Sequence, residues 1–350
     1  MGASMRFLAL TFDASGNLPP LLGLVEALVA QGHAVEVMGH HSQRSRIEAA
    51  GAGFLAFDRA PQYDAAGPNR VSADVIDGFS LAARDDLLAA AATRRPDVLL
   101  VDAMLPSALQ GANASPWPTA AVCHCTYGTL AEYLDGRFRA PMEASELVLV
   151  LSHEAFHSGA PAPANVAFVG PARPKASSAW SRRDPGRKLV LASLSTGDQG
   201  QEPVLRRLCQ ALGGVDAEVL VTTGRGISPE ALPSAPNMVL IDIVPHEAVL
   251  PFADLVVTHA GHGTVMAAIG AGVPMLCLPG VGDQPANAGR VAALGLGEVM
   301  DKTAEPEALR AAIERLLADG ALRRRCAEFA RTIADAPGLA LAVERLERLA

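Results

Sequence analysis

Asp254 to Asn287 reads DLVVTHAGHGTVMAAIGAGVPMLCLPGVGDQPAN. It opens on a short apolar run, Leu255-Val256-Val257, with the β-branching and length of a buried strand. A polar, glycine-spaced turn follows, Thr258-His259-Ala260-Gly261-His262-Gly263-Thr264. Val265, Ala268 and Ile269 then recur at helical spacing, and Gly272 and Pro274 stop the helix. A second apolar run, Met275-Leu276-Cys277-Leu278, ends at Pro279-Gly280, and Asp283, Gln284 and Asn287 lie in a polar loop. The order is strand, glycine turn, helix, strand, loop. Such a βαβ unit presents a helix N-terminus whose main-chain N–H groups and dipole suit an anion, commonly a phosphate.

The same rhythm runs outward in both directions. Met5 to Phe12 reads as a buried parallel strand, Asp13 to Asn17 as a turn, and Leu18 to Ala30 as an amphipathic helix. Strands follow at Ala34–Met38, Gly53–Phe57, Val98–Asp102, Ala120–Val122 and Leu147–Leu151, with helices at 43–52 and 72–95. Composition changes over 158–188, where five prolines and a basic cluster mark a connecting segment. Strands then resume at 188–194, 217–222 and 238–241, and helices at 305–318, 320–334 and 338–349 close the chain. The expected fold is α/β, with two doubly wound Rossmann-like domains facing a cleft. Their expected bounds are 1–170 and 188–335, with a linker at 171–187 and a terminal helix, 336–350, returning to the first domain.

Composition narrows the function. The 350 residues carry a formal net charge of −8 with no basic run to offset it, which argues against nucleic acid. No apolar run approaches the ~18 residues of a membrane span. The first residues read as a strand, not a signal peptide. The five scattered cysteines read as reduced core residues of a cytoplasmic protein, not a disulfide frame or a metal site.

From Ile241 to Gly297 the sequence resembles the signature of GT-B nucleotide-sugar glycosyltransferases of family 1, in the bacterial branch that decorates natural products. Val244-Pro245-His246, Leu250-Pro251, Val257 to Thr264, Gly272-Val273-Pro274, Asp283-Gln284 and Asn287-Ala288 follow that pattern in order and spacing. Weaker echoes are Gly32-His33-x-Val35, Asp97 to Asp102, and Phe168-Val169-Gly170-Pro171.

The resemblance implies inverting, metal-independent transfer of a sugar from a TDP- or UDP-sugar to an apolar small-molecule acceptor. It implies that His259, Gly261, Gly263 and Thr264 hold the donor pyrophosphate, that Val244 reads the base through its main chain, and that Asp283 and Gln284 hydrogen-bond the sugar. Thr196 stands where the family has a hydroxyl near a phosphate. Phe79, Leu81, Tyr127, Tyr133 and Phe138 offer apolar surface for an acceptor, or belong to the core. A homodimer stays open.

Two positions depart from the family. A Glu that contacts ribose is replaced by Ala267. The usual basic His of the first turn is replaced by Asn17, whose amide takes no proton at neutral pH. Asp13, Asp102 and His124, all at strand ends, are then the candidates for the base. The departures also keep open a binding protein without turnover, and a nucleotide-sugar epimerase is a third reading.

Overall fold

Alternating apolar runs and amphipathic helices give two separate parallel sheets. The computed structural model describes residues 4–13, 16–62, 73–132, 136–158, 161–172, 180–184, 186–194, 200–224, 226–334 and 338–350. The chain divides into two compact units, Met1–Lys175 with Ala336–Ala350, and Ala176–Asp335.

The first unit contains β1 (Arg6–Leu10), α1 (Leu18–Ala30), β2 (Ala34–Gly39), α2 (Arg44–Ala49), β3 (Gly53–Ala56), α3 (Ala73–Arg94), β4 (Val98–Asp102), α4 (Pro106–Asn113), β5 (Thr119–Cys123), α5 (Tyr127–Glu132), α6 (Arg139–Glu143), β6 (Leu147–Val150) and β7 (Val166–Phe168). Among the described residues its sheet runs β3-β2-β1-β4-β5-β6-β7, with all pairs parallel. Strand side chains alternate faces. Leu8 and Leu10 therefore pack under α3 and α4, while Phe7 and Ala9 pack under α1. Each such fully buried Leu or Phe contributes roughly 1.5–3 kcal/mol relative to exposure.

The second unit contains β8 (Leu189–Ser193), α7 (Glu202–Leu212), β9 (Glu218–Thr222), β10 (Met238–Ile241), α8 (His246–Val249), β11 (Leu255–Thr258), α9 (His262–Ala271), β12 (Met275–Cys277), α10 (Gln284–Ala293), β13 (Gly297–Val299), α11 (Pro306–Ala318) and α12 (Gly320–Ala334). Its sheet runs β10-β9-β8-β11-β12-β13. The last helix, α13 (Gly338–Glu347), belongs to the first unit and packs on α1 and β6. There Glu347 Oε1 lies 3.0 Å from His33 Nε2.

Two expectations change. The 158–188 stretch includes β7, which bonds to β6, so composition alone overstates the irregular segment. Its far end is docked on the second unit. The Trp180 ring sits 5.6 Å from that of Phe252, and Arg182 pairs with Asp254 at 2.9 Å. The expected loop at 283–287 is the start of α10, with Asp283 as its N-cap and Pro285 in its first turn. Proline is tolerated there because the first-turn N–H groups have no helical acceptor. All five cysteines are buried and unpaired. Among the described residues no helix is long and apolar enough to cross a membrane, and no group of three or more His, Cys, Asp or Glu could hold a metal.

Candidate functional site

Both sheets reverse their winding once, the first between β1 and β4, the second between β8 and β11. At such a switch point successive connections leave toward opposite sides, opening a crevice outside the carboxyl ends of the strands. Several of the polar residues singled out from the sequence lie at these two places.

In the second unit, β8 ends at Ser193 opposite Thr258, the last residue of β11. Thr258 leads into the turn His259-Ala260-Gly261 and α9. Gly261 is the N-cap of α9 and supplies no side-chain cap. Helix geometry leaves the first N–H groups without intrahelical acceptors, a chemistry that suits an anion. A Cβ on Gly261 would meet His259 Nε2 at 2.5 Å and Cε1 at 2.9 Å. Only glycine lets the imidazole lie against the turn. Ala260 adopts φ +65°, a left-handed conformation that costs an L-residue about 1–2 kcal/mol. Gly263 is exposed in the first helical turn, and Thr264 is buried.

Around that terminus runs a hydrogen-bonded network. Thr222 Oγ1 donates to Ser193 Oγ at 2.7 Å. Ser193 Oγ lies 2.9 Å from His246 Nε2, and His246 Nδ1 lies 3.4 Å from Thr264 Oγ1. Burial, and then the nearby His246, lower the pKa of His259 to about 4, against a hydrogen bond to the Ser193 main chain that works the other way. His259 is therefore neutral at physiological pH and offers an anion a hydrogen bond, not a standing positive charge. Val244 is part-buried and lines a cavity of about 30 Å³ with Ser193, Thr222, Asp242 and His246. An open cavity of about 580 Å³ adjoins it through Asp242.

The Asp283-Gln284 pair splits into two roles. Gln284 is buried, and its Oε1 accepts the Gly280 N–H at 2.8 Å and the Val281 N–H at 3.2 Å. Its carbonyl oxygen is thus committed to the loop before α10. Asp283 Oδ2 accepts from Asn287 Nδ2 at 2.7 Å. The same amide donates to the Ala260 carbonyl at 3.0 Å. Asn287 so ties the α10 terminus to the strained turn at α9.

In the first unit, Asp102 ends β4 and lies opposite Val122 of β5. His124 lies just past the end of β5. Asp102 Oδ2 accepts from Asn17 Nδ2 at 2.6 Å, and Asp102 Oδ1 accepts from the Met104 N–H at 2.9 Å. His124 Nδ1 faces Asp102 Oδ1 at 3.6 Å. Asn17 is only 2% exposed and also donates to the Phe12 carbonyl. With its side chain so used, it makes no side-chain cap for α1.

Asp13 joins a different set. Its Oδ2 accepts from Ser42 Oγ at 3.3 Å. It also acts on His40, which burial among Phe12, Phe57 and Phe79 holds below its usual pKa while Asp13 pulls the other way. The aromatic acceptor surface is corrected: Phe79, Tyr127 and Phe138 are buried in the core, and only Leu81, 50% exposed, is open. Tyr133 and Thr196 lie outside the described residues. Sequence reasoning gave no role to Ser193, His246 or Asn287. Ser193 is flagged only by its place at the end of a strand, and the other two sit inside the quoted signature.

The sequence profile described as "Erythromycin biosynthesis protein CIII-like, C-terminal domain" matches residues 206–349. A demethyllactenocin mycarosyltransferase of Streptomyces fradiae is 34% identical over 186 residues, 52% of this chain and 40% of that protein. The chain thus aligns with less than half the length of the first curated relatives, 39–47%. Among solved structures, the glycosyltransferase of kitacinnamycin superposes with TM-score 0.80 at 25% identity, covering 100% of both chains. Glycosyltransferase VinC, solved in complex with DTDP, superposes with TM-score 0.75 at 21% identity, over 99% of each chain. The fold is GT-B, and over about half its length the chain is similar to bacterial natural-product glycosyltransferases.

Proposed function

We propose that this chain is an inverting glycosyltransferase that moves a sugar from a TDP- or UDP-linked donor to a hydrophobic small-molecule acceptor. The observation that carries the reading is the uncapped N-terminus of α9, set at the switch point of the second sheet beside His259, His246 and Thr264. A diphosphate seated there receives main-chain N–H groups and the positive end of the helix dipole. The VinC complex with DTDP and the mycarosyltransferase likeness support the same donor class. In this reading the second unit binds the donor. Val244 and its neighbouring cavities take the nucleobase, and Asp283 with the amide nitrogen of Gln284 meets the sugar hydroxyls. The first unit takes the acceptor.

Transfer breaks the bond between the anomeric carbon and the diphosphate oxygen through an oxocarbenium-like state. Charge then develops on the leaving diphosphate. Donors fixed in advance at that position stabilise the transition state more than the ground state. The acceptor hydroxyl loses its proton as its oxygen bonds the sugar carbon from the opposite face, which inverts the configuration. Asp13, Asp102 and His124 are the candidates to receive that proton.

Titration calorimetry with TDP tests the donor site. His259→Ala is expected to weaken TDP binding about tenfold, the ~1.5 kcal/mol of one hydrogen bond to a charged group. Unchanged affinity removes His259 from the phosphate. A second reading, binding without turnover, is motivated by Asn17 and Ala267. Transfer from TDP-glucose or UDP-glucose to a panel of phenols separates the two, since a silent chain binds TDP and forms no glycoside.

A further inference from the structure

We propose that His124 is the general base of this chain, oriented by Asp102, with Asn17 as the residue that holds Asp102 in place. The proposal rests on the glycosyltransferase reading above and goes beyond it by assigning the proton acceptor.

Three observations meet at one carboxylate. Asn17 occupies the turn position where the resembled family has its base, yet its amide donates to acceptors already in the protein, the Phe12 carbonyl, Asp102 Oδ2 at 2.6 Å and Thr11 Oγ1 at 3.5 Å. Asp102 holds a second bond, from the Met104 N–H at 2.9 Å, to Oδ1. Both carboxylate oxygens therefore carry donors, which fix the orientation of the carboxylate. Across that same Oδ1, at 3.6 Å, stands His124 Nδ1. This nitrogen is buried and has no hydrogen-bond partner among the described residues. Buried polar atoms are almost always paired, so an orphan facing a carboxylate asks for a reason. A shift of a few tenths of an ångström closes the bond.

With the proton on Nδ1 and directed at Asp102, the lone pair lies on Nε2. The His124 side chain keeps 14% of its surface open, while Nδ1 itself is buried. The open edge of the ring is thus the edge away from the carboxylate. The acceptor O–H proton passes to His124 Nε2, and the oxygen electron pair forms the bond to the anomeric carbon. The bond from that carbon to the diphosphate oxygen breaks, and the nucleoside diphosphate leaves with its electron pair. Asp102 stabilises the imidazolium so formed. Asp13 is turned to Ser42 and His40 and is not needed.

The test uses the full chain with TDP-glucose and two phenols of different acidity, 4-nitrophenol and 4-methylphenol. The variant is His124→Asn, which keeps an N–H to face Asp102 but accepts no proton. Expected is a loss in kcat/KM of about 10²–10⁴-fold on weakly acidic 4-methylphenol. The loss on 4-nitrophenol, which needs little help to ionise, is expected to be at least about tenfold smaller. Added imidazole should restore part of the rate in His124→Gly. TDP affinity by calorimetry stays at the wild-type value, because His124 lies outside the donor unit. Equal losses on the two phenols, or none, overturn the assignment of the base while leaving the transferase reading intact. Wild-type protein that binds TDP but transfers to neither phenol overturns the transferase reading, and His124 falls with it.

Discussion

The two switch points occupy the same topological position and are furnished in opposite ways. At β8 and β11 the groups are small or neutral: a serine, threonines, a glycine N-cap and two histidines, one of them with its pKa lowered to about 4. The helix terminus there is left uncapped by any side chain. At β1 and β4 the central group is a carboxylate, and the helix that follows β1 is entered through a buried amide bonded to it. One end is arranged to receive negative charge and the other to hold negative charge. A reaction that expels a diphosphate and takes up a proton needs both. The difference also explains why the glycine turn before α9 keeps the pattern of the family it resembles while the first turn, at Asn17, departs from it. A phosphate cradle depends on main-chain geometry that few residue types allow. A proton acceptor depends only on a nitrogen or oxygen of suitable basicity within reach.

The contrast breaks most sharply at Gly261. In Gly261→Val the added side chain meets His259 Nε2, 2.5 Å from the Cβ position, and must drive the imidazole off the turn. We expect TDP affinity to fall about a hundredfold, near 3 kcal/mol, from lost phosphate contacts together with the overpacking cost. Calorimetry on the purified variant measures it. Binding within about threefold of wild type, under 1 kcal/mol, would mean that the diphosphate sits elsewhere.

At the other switch point, Asn17→Ala removes a buried donor to a carboxylate. Such a change costs about 2–3 kcal/mol of stability, because Asp102 Oδ2 is buried and loses its donor. Trp117 lies in the first unit and Trp180 in the second. Urea unfolding followed through each tryptophan alone, with the other replaced by Phe, should show the loss at Trp117. TDP affinity should not move. A shift in TDP binding would show that the two switch points are energetically coupled.

The pH dependence sharpens the second site. His259 has a folded pKa of about 4, below the unfolded value of 6.5. Between these values the unfolded chain binds more protons, so stability rises with pH across the window. The contribution is complete above pH 6.5 and is lost as pH falls toward 4. The loss should reach about 2 kcal/mol by pH 5, at 1.36 kcal/mol for each unit. His259→Gln should flatten that part of the profile in urea titrations. Because a bound diphosphate favours the imidazolium, TDP binding should also take up protons in this window. Calorimetry in buffers of different ionisation enthalpy reads that uptake.

Much of this is legible in the sequence, and the reason differs by element. Strand runs such as Leu189–Ala192 are apolar throughout because both faces are covered, and that pattern survives without any partner in view. Short elements are harder. Residues 166–168 form a strand only because β6 offers an edge, and nothing in Val-Ala-Phe says so. The α10 start reads as a loop because Asp, Pro and Asn suit loops, yet all are tolerated in a first helical turn. At the site, the glycine turn and His259 stand out because geometry restricts the residue types allowed there. The division of labour in Asp283-Gln284 does not, since an amide serves a sugar and a main-chain N–H equally well. Nor does the pairing of Asn17 with Asp102, 85 residues apart, which only the register of neighbouring strands brings together.

The smallest expected effect lies at Asn287. Its amide nitrogen spans Asp283 Oδ2 and the Ala260 carbonyl, joining the α10 terminus to the left-handed residue in the glycine turn before α9. Asn287→Ala leaves both acceptors without that donor. Asp283, being part-exposed, recovers a water. The Ala260 carbonyl is the costlier loss, about 1 kcal/mol, because the residue is buried and its backbone is already strained. The strain makes the outcome specific. A turn released from φ +65° moves Gly261 and the α9 terminus with it, so TDP affinity should fall several-fold although Asn287 has no assigned contact with the donor. The substitution Ala260→Gly relaxes the left-handed conformation at no steric cost. In that background the Asn287→Ala loss in TDP affinity should shrink toward zero. If the loss persists unchanged, Asn287 acts on the sugar through Asp283 and not on the phosphate through Ala260.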